Sequence, residues 1–371
     1  MLRYLTAGES HGDSLVGILE GMVAGVRIDL EKIAEELKYR SNHFGRSERQ
    51  QIENDSFEIL SGLRNQVTTG APIAIRIKNK EVKELEDFSP RPGHADLAGC
   101  LKYGFQNIHL IAERASARET SIRVALGVIA KCFLLHFKID FVSHTVSIGE
   151  IRNQKSYSFE FIKEKRFLSS IYCVEKETEK LMIEKIKEAM AAGDTIGGET
   201  EVLIRGLPVG LGSHVHYDRR LEFKIGGALL SIPGVKGLQL GAPQHLGSLN
   251  NDPIIVKKGK IIRGSNNAGG IEGGITNGQD IVIRLSIKPP PSLRQKVASI
   301  DLRDNKPSLA PVLRGDTCIV PAAGIVAENV LALEIASFLL EKFGGDSLEE
   351  VKRNWRAYLE IIPSESWRIE E

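Results

Sequence analysis

The chain has 371 residues, 42% of them hydrophobic and 26% charged, and its 49 Lys+Arg against 48 Asp+Glu give a formal net charge of +1. This composition predicts an ordinary globular protein with a sizeable core, and the balanced charge excludes a general attraction to nucleic acid or an anionic membrane, so that any positive site must be local. The four cysteines are Cys100, Cys132, Cys173 and Cys318. They lie far apart and lack the spacing of a zinc cluster or a disulfide framework, so we expect no bound metal and a location in the reducing cytoplasm.

The N-terminal segment reaches Gly8 too soon for a signal peptide, and no apolar run of transmembrane length is expected. Gly8-Glu9-Ser10-His11-Gly12 follows a short apolar segment. Its bracketing glycines predict a tight turn that exposes both Ser10 and His11, although an ordinary surface turn explains the pentapeptide equally well. A helix is predicted over 29–37, because Asp29 can cap it and an apolar stripe follows at helical spacing.

The loop that follows this helix, 40–49, carries three arginines among small polar residues: Arg40, Arg46 and Arg49. A guanidinium is a planar fork of donors that keeps its charge, and it therefore suits phosphate or carboxylate. A solvated basic surface is the more common explanation for a single cluster of this type. An anion-binding site at this loop becomes the better hypothesis because other loops of the chain also carry arginines beside small polar residues.

A hairpin-like unit comes next, with strands predicted over 57–62 and 73–77, the second of which alternates with period two. The segment 91–96 then combines a Pro-Gly turn with a histidine and an aspartate. Proline fixes φ and glycine relaxes it, so the turn holds His94 at a sharp angle and aims it into a cleft. Asp96 is given no role beyond capping this turn.

The segment 113–120 places two arginines and a serine directly before an apolar helix predicted over 122–133: Arg114, Ser116 and Arg118. The N-terminus of a buried helix offers free N–H groups and the positive end of the helix dipole. Together with the guanidinium groups these features predict one wall of an anion-binding catalytic site.

The second half of the chain is less distinctive up to residue 241. Residues 147–180 are predicted to form a surface excursion, and a glycine-rich stretch, 265–278, is predicted to let the backbone approach a flat or charged ligand. It is not a dinucleotide-binding turn, because no βαβ unit surrounds it. Further helices are predicted over 175–192, 219–232 and 324–343 and from 347 onward, and strands over 197–204, 281–287 and 313–321.

Two further patterns concern the strand over 281–287. It delivers Lys288 into the segment Lys288-Pro289-Pro290-Pro291-Ser292, whose prolines fix the lysine in an extended conformation. Residues 68–77 and 276–287 also resemble each other, since both run from threonine through a glycine turn into a strand with a late arginine. This echo indicates two related halves.

Three kinds of chemistry are compatible with these patterns. A metal hydrolase would use His11, His94 and Asp96 as ligands, but no established ligand spacing supports it. A non-catalytic anion- or nucleotide-binding protein would explain the arginine loops and the glycine backbone, but not two loop histidines. An enzyme acting on a phosphorylated, carboxylated small molecule would use all of them, since a histidine can move a proton while arginines neutralise the anions.

Six motifs, in this order, resemble the signatures of the chorismate synthase family: GESHG at 8–12, RPGHAD at 91–96, RASARET at 114–120, SIPGVKG at 231–237, NNAGGIEGGITNG at 266–278 and the lysine-proline segment at 288–292. The resemblance implies an α+β fold in which one domain spans 1–371 as a β-α-β sandwich with internal pseudo-symmetry, assembled as a homotetramer. It also implies a lyase that converts 5-enolpyruvylshikimate 3-phosphate to chorismate and phosphate by 1,4-anti elimination with reduced FMN. This reaction is the last step of the shikimate pathway in aromatic amino-acid biosynthesis.

The resemblance also implies roles for single residues. His11, with Ser10 beside it, resembles the acid that protonates the reduced flavin or the leaving phosphate, and His94 resembles the histidine next to the flavin ring. Asp316 resembles the aspartate that helps the flavin take the substrate proton. Arg40, Arg46 and Arg118 match positions that grip substrate anions, the first two also being linked with NADPH. The matching FMN positions are Arg114, Ala115, Ser116, Leu249, Asn250, Gly273, Lys288, Pro289, Pro290, Pro291, Ser292 and Arg314.

The chain also departs from the family pattern at three places. Gly315 stands where the family has a histidine beside the aspartate, and Ala322 stands where it has an arginine. The usual Asp-x-Arg before the serine-arginine motif is Asn107-Ile108-His109. A divergent, non-catalytic flavin- or anion-binding paralogue is therefore the alternative. The resemblance leaves open whether the chain reduces its flavin with NADPH or depends on a separate flavin reductase.

Overall fold

The computed structural model describes residues 2–47, 55–257, 260–313 and 315–362. Its first sheet has four antiparallel strands in the order β1-β2-β6-β3, and a short hairpin, β4–β5, precedes β6. The predicted period-two strand is confirmed, because Ile73, Ile75 and Ile77 are fully buried while the residues between them are less so. The strands are β1 (Arg3–Gly8), β2 (Ser14–Glu20), β3 (Phe57–Ser61), β4 (Leu63–Arg64), β5 (Val67–Thr68) and β6 (Ile73–Lys78).

The second sheet has five antiparallel strands in the order β10-β15-β9-β7-β8. Its members are β7 (Asp140–Ile148), β8 (Ile151–Arg152), β9 (Gly198–Arg205), β10 (Val235–Leu240) and β15 (Ile281–Ile287). Three two-stranded hairpins accompany it: β11 (Ile254–Lys257) with β12 (Lys260–Arg263), β13 (Ile271–Glu272) with β14 (Ile275–Thr276), and β16 (Ala298–Ile300) with β17 (Pro307–Leu309).

Helices fill the space between the two sheets. The central ones are α1 (Leu30–Ser41), α4 (Thr120–Leu135) and α9 (Val320–Phe343). Helix α4 packs on β2 and β6, helix α9 packs on β7 and β9, and the two helices pack on each other. Their backbones come close at Gly127, where a Cβ atom would lie 2.4 Å from Cβ of Asn329. The predicted α+β class is confirmed, and the layers form a β-α-β sandwich.

The other helices lie around this sandwich: α2 (Asp96–Tyr103), α3 (His109–Ala115), α5 (Phe159–Lys165), α6 (Lys176–Ala192), α7 (Leu221–Leu230), α8 (Gly247–Asn250) and α10 (Leu348–Ile361). The surface excursion predicted for 147–180 is wrong in one respect. Helix α5 buries Phe159 and Ile162 against Val142 and Leu203, so it covers the face of the second sheet that points away from α9.

Helix α9 corrects two expectations. By length and composition it could cross a membrane, with a mean hydropathy of 1.7 over its most apolar window, but 89% of that window is buried inside the protein. A helix that is apolar on all sides is therefore explained here by its position between two sheets.

The strand predicted over 313–321 is also wrong, because the described part of that segment is a loop and the helix starts at Val320 with Pro321 in its first turn.

A buried cluster of charges, which we call the core charge cluster, joins three helices and the 3-10 turn Arg166–Leu168. It consists of Glu36, Lys131, Arg166 and Glu328. Nζ of Lys131 donates to Oε2 of Glu36 at 2.7 Å and to Oε2 of Glu328 at 3.0 Å, and Arg166 pairs with Oε1 of Glu328. Two cations thus compensate two carboxylates at a buried position.

The sequence echo between 68–77 and 276–287 has a structural counterpart. Strand β6 lies between β2 and β3, and strand β15 lies between β10 and β9, so both are interior strands of their sheets. In each case the late arginine pairs with a glutamate of the neighbouring strand, Arg76 with Glu58 and Arg284 with Glu201. The two sheets therefore use equivalent strands in equivalent places.

Candidate functional site

The loop between β1 and β2 holds His11 against the carboxylate of Glu113, which lies on α3. Nδ1 of His11 is 2.6 Å from Oε1 of Glu113, while Oγ of Ser10 and the backbone N of His11 donate to Oε2 at 2.7 and 2.6 Å. Burial favours the protonated carboxyl, but the hydrogen bonds from His11 and Ser10 outweigh it and lower the pKa of Glu113 to about 2. Glu113 is therefore an anion that fixes both predicted residues.

The turn before α2 holds His94 in a similar way. Nδ1 of His94 lies 2.5 Å from Oδ1 of Asp96, whose Oδ2 accepts hydrogen bonds from both the backbone N and Nε of Arg91 at 3.1 and 2.7 Å. Although burial opposes the charge, these bonds hold the pKa of Asp96 well below its usual range. Asp96 thus does more than cap the turn, because it also orients the imidazole of His94.

Two of the three predicted anion-binding arginines share one carboxylate that the sequence did not single out. Asp55 accepts from Nη2 of Arg40 at 2.9 Å and pairs with Nη1 of Arg118, and all three side chains are buried. Burial raises the pKa of Asp55, but the two guanidinium groups lower it by more, so it stays ionised. The three groups together carry one formal positive charge.

The third arginine, Arg46, pairs with Asp316 after α1. Nη1 of Arg46 donates to Oδ2 of Asp316 at 2.8 Å, and the backbone N of Ser47 donates to Oδ1 at 2.8 Å. The imidazole of His43 is buried close by, and burial together with Arg46 lowers the pKa of His43 to about 3, so it is neutral at physiological pH. Asp316 is thus an ionised carboxylate held by Arg46 and by a backbone N–H group.

The segment 288–292 lies against two of these loops. Nζ of Lys288 donates to the carbonyl of Gly93 at 2.5 Å, and Nη1 of Arg91 donates to Oγ of Ser292 at 3.3 Å. Gly315 lies so close that a Cβ atom there would be 2.8 Å from Cβ of Ser292. The absence of a side chain at Gly315 therefore allows segment 288–292 to approach Asp316.

Hydrogen bonds and close contacts join these parts into one network. Nδ2 of Asn79 donates to the carbonyls of Glu9 and Gly12 in the His11 loop, and its Oδ1 accepts from Nε of Arg118 at 3.0 Å. The backbone N of Thr317 donates to the carbonyl of Gly45, which ties the Asp316 loop to the Arg46 loop. Arg46 also lies near Arg40, and the close contact of Gly315 with Ser292 joins the lysine-proline segment and the His94 turn to the Asp316 loop. The loops of both predicted histidines and the three arginines are thus connected.

Other predicted site residues lie apart from this network or at its edge. The side chain of Arg114 contacts the carbonyl and hydroxyl of Thr6, and Ser116 follows Ala115 and accepts from the backbone N of Arg118. Within the described ranges, no hydrogen bond connects Leu249, Asn250 or Gly273 with the loops of His11 and His94. Arg314 lies outside the described residues.

Glycine supplies the turn in which Gly273 lies. Gly273 and Gly274 form the two-residue connection between β13 and β14, with φ values of 60° and 90°. Both values fall in the region that glycine adopts without strain, as expected for the short turn of a hairpin. A Cβ atom at Gly273 would meet no other atom within 4 Å, so this backbone faces open space.

Sequence reasoning missed Glu113, Asp55 and Asn79 as members of the site. Glu113 opens the segment that contains Arg114 and Arg118, and its position beside that motif was the available signal. Asp55 was detectable only as an acid near the end of an arginine-rich loop. Nothing in the sequence around Asn79 marks it, because its three partners come from distant positions.

Comparison with known proteins agrees with this arrangement. The family model described as chorismate synthase matches residues 2–340. The chain is 45% identical to the chorismate synthases of Solibacter usitatus and Geobacter sulfurreducens, covering 98% of this chain and 99% of each relative. A crystal structure of chorismate synthase superimposes with a TM-score of 0.81 at 37% identity and covers 98% of both chains. The chain belongs to the chorismate synthase family.

Proposed function

We propose that this chain is a lyase that converts 5-enolpyruvylshikimate 3-phosphate to chorismate and phosphate by 1,4-anti elimination with reduced FMN, the last step of the shikimate pathway. The observation that carries the proposal is the presentation of two histidines in one network with buried arginines. Nδ1 of each imidazole faces a carboxylate, and among the described residues neither Nε2 has a hydrogen-bond partner. Two nitrogen atoms are thus available to a bound molecule.

The residues at segment 288–292 fit a phosphorylated cofactor. In the described part of the chain, neither Lys288 nor Lys236 has a carboxylate partner, and burial together with Lys236 lowers the pKa of Lys288. A bound phosphate would compensate both lysines. Reduced FMN, when bound, supplies electron density to the substrate and accepts its C6 proton. We propose that it is held by Arg114, Ala115, Ser116, Leu249, Asn250, Gly273, Lys288, Pro289, Pro290, Pro291, Ser292 and Arg314.

The arginine network suits the departure of a phosphate. When the allylic C–O bond breaks, negative charge grows on the phosphate oxygen atoms. Arg40, Arg118 and Asp55 are buried and already hydrogen-bonded, so their net positive charge needs no reorganisation when that charge develops. We propose that Arg40, Arg46 and Arg118 bind the phosphate and carboxylate groups of the substrate.

The two histidines would then handle protons. His11, with its Nδ1 held by Glu113, turns Nε2 toward the leaving phosphate or the reduced cofactor, and it acts as the acid in the doubly protonated form of the ring, in which Nε2 also carries a proton. Ser10 keeps the loop in place. His94 presents Nε2 beside segment 288–292, where we place the cofactor. Asp316 remains ionised next to Arg46 and can orient the group that receives the substrate proton.

An anaerobic assay tests the proposal. The purified chain, chemically reduced FMN and 5-enolpyruvylshikimate 3-phosphate should release chorismate and an equal amount of phosphate, whereas omission of any one should give none. Flavin binding without product would support the alternative of a non-catalytic paralogue. NADPH in place of the chemical reductant separates a chain that reduces its own flavin from one that depends on a separate reductase.

We also propose a homotetramer in the cytoplasm. The β11–β12 hairpin supports an association between copies, because Ile254 and Val256 are 72% and 73% exposed on it. The four cysteines are buried free thiols, in keeping with a reducing compartment. Light scattering of the purified chain would give its mass, and Val256→Glu should shift the mass toward a smaller assembly.

A further inference from the structure

The site contains a carboxylate whose role is not explained by the residues assigned so far. Glu113 lies on α3, and its side chain is only 14% exposed. Both of its oxygen atoms are used by two consecutive residues of another loop: Oε1 by Nδ1 of His11, and Oε2 by the hydroxyl of Ser10 and the backbone N of His11. The backbone N of Ser10 also donates to the carbonyl of Glu113 at 3.2 Å.

These four contacts determine the orientation of the imidazole. Because the contacts to Ser10 and to the backbone fix the carboxylate, Oε1 can only receive a proton from Nδ1. The neutral ring of His11 must therefore carry its proton on Nδ1 and leave Nε2 as an acceptor. We propose that Glu113 is the positioning residue of His11: it fixes the Nδ1–H tautomer and directs Nε2 into the site.

The neighbouring charges favour this arrangement over others. His109, one turn before Glu113 on α3, has its Nδ1 3.8 Å from the same Oε1, which is beyond hydrogen-bond distance. Nδ1 of His109 is buried without a hydrogen-bond partner, so it does not replace Nδ1 of His11. The carboxylate of Asp96, which holds His94, differs from that of Glu113 because the guanidinium of Arg91 also compensates its charge. Within the described residues, the titratable groups that face the carboxylate of Glu113 are His11 and His109.

The inference rests on the proposed function, but it can be tested without substrate or cofactor. Long-range nitrogen–proton NMR distinguishes the two tautomers of each histidine in the ligand-free chain, and loss of one set of signals in His11→Asn assigns His11. The unmodified chain should show the Nδ1–H tautomer of His11 at every pH at which its ring is neutral. Observation of the Nε2–H tautomer of His11 would overturn the proposal. Because this measurement uses the unmodified chain, it remains decisive even if Glu113 variants fail to fold.

Glu113→Gln gives the second test. It should convert His11 to a mixture of tautomers, lower kcat at least tenfold and alter the pH profile of kcat, while KM and FMN affinity change less than twofold. Glu175→Gln is a matched control, because Glu175 also accepts from a backbone N and a hydroxyl, at the start of α6. An unchanged tautomer and rate in Glu113→Gln would contradict the inference. Absence of chorismate with the unmodified chain would instead contradict the proposed function, since the NMR result does not depend on it.

Discussion

Arg46 and Asp316 are 270 positions apart in the sequence, yet Nη1 of Arg46 donates to Oδ2 of Asp316 at 2.8 Å. The other carboxylate oxygen accepts from the backbone N of Ser47, so the loop after α1 and the loop before α9 share one charge. Burial raises the pKa of Asp316, but Arg46 and Ser47 lower it by more. We therefore expect Asp316 to act in two ways: it positions the anion-binding Arg46, and it takes part in the proton transfer proposed above.

Asp316→Asn should test both contributions. The amide keeps the shape of the side chain but leaves Arg46 without a carboxylate, and we expect turnover to fall at least tenfold. The rate of chorismate formation at saturating FMN and substrate is the measurement. Asp301→Asn is the control, because Asp301 is also an arginine-paired aspartate, with Arg303, but it lies in the connection between β16 and β17. Equal rates in the two variants would contradict the role of Asp316.

His11→Ala and His94→Ala should each lower turnover at least tenfold while FMN still binds, because each removes a free Nε2 from the site. Anaerobic titration with reduced FMN and single-turnover rates would separate binding from chemistry. His216→Ala serves as a control, since His216 is exposed and pairs with Asp218. Near-normal rates in both site variants would rule out the proton-handling roles.

Introducing a side chain at Gly315 should weaken the cofactor site. A Cβ atom there would lie 2.8 Å from Cβ and 3.1 Å from the carbonyl oxygen of Ser292, so segment 288–292 must move. Gly315→His should therefore lower FMN affinity several-fold, although it restores the histidine of the family pattern. Ser292→Gly in the same chain should recover part of the affinity, and fluorescence titration measures both. Higher affinity in Gly315→His alone would contradict the steric argument.

Lys131→Met should destabilise the protein strongly. Lys131 donates to both Glu36 and Glu328 in the core charge cluster, and its loss leaves Arg166 as the one cation of the cluster for two buried carboxylates. We expect the free energy of unfolding to fall by about 3 kcal/mol. Lys187→Met, on the exposed side of α6, should change it by less than about 0.5 kcal/mol. Denaturant unfolding of both variants is the measurement, and similar midpoints would show that the cluster adds no stability.

The lowered pKa of Glu113 predicts a pH dependence of stability. Its folded value of about 2 lies below the ordinary value of 4.5, so the ionised carboxylate stabilises the folded chain fully above pH 4.5 and loses this effect as the pH falls toward 2. Glu113→Gln should be less stable by about 2 kcal/mol at pH 7, with a difference that shrinks below pH 4.5. Urea unfolding at pH 7 and pH 3.5 measures it, and a constant difference would contradict the prediction.

Local patterns were sufficient for many elements. Asp29 caps α1 and accepts from the backbone N of Lys32, as predicted from the residue before the apolar stripe. Ser347 caps α10 in the same way, accepting from Glu350 N. Glu350 does not complete a capping box with Ser347, because its carboxylate accepts from the backbone N of Asp346. Caps and periodicity depend on residues a few positions apart, and these can be read directly from the chain.

Other features depend on distant partners, and the sequence could not reveal them. The segment 313–321 was predicted as a strand, but the backbone N of Thr317 donates to the carbonyl of Gly45 and not to a neighbouring strand. Arg40 and Arg118 were assigned to substrate anions, but their joint pairing with Asp55 brings together three separate segments and was not predicted. Tertiary contacts decide such cases.

The position of α9 between the sheets also has a consequence for the newly synthesised chain. Its residues, 320–343, leave the ribosome after every strand of both sheets. Until then the faces of β7 and β9 that α9 covers, and the α4 surface that packs on it, are exposed to water. Chains that await their last core element are prone to aggregate, so production of this protein should benefit from chaperones that bind apolar surfaces.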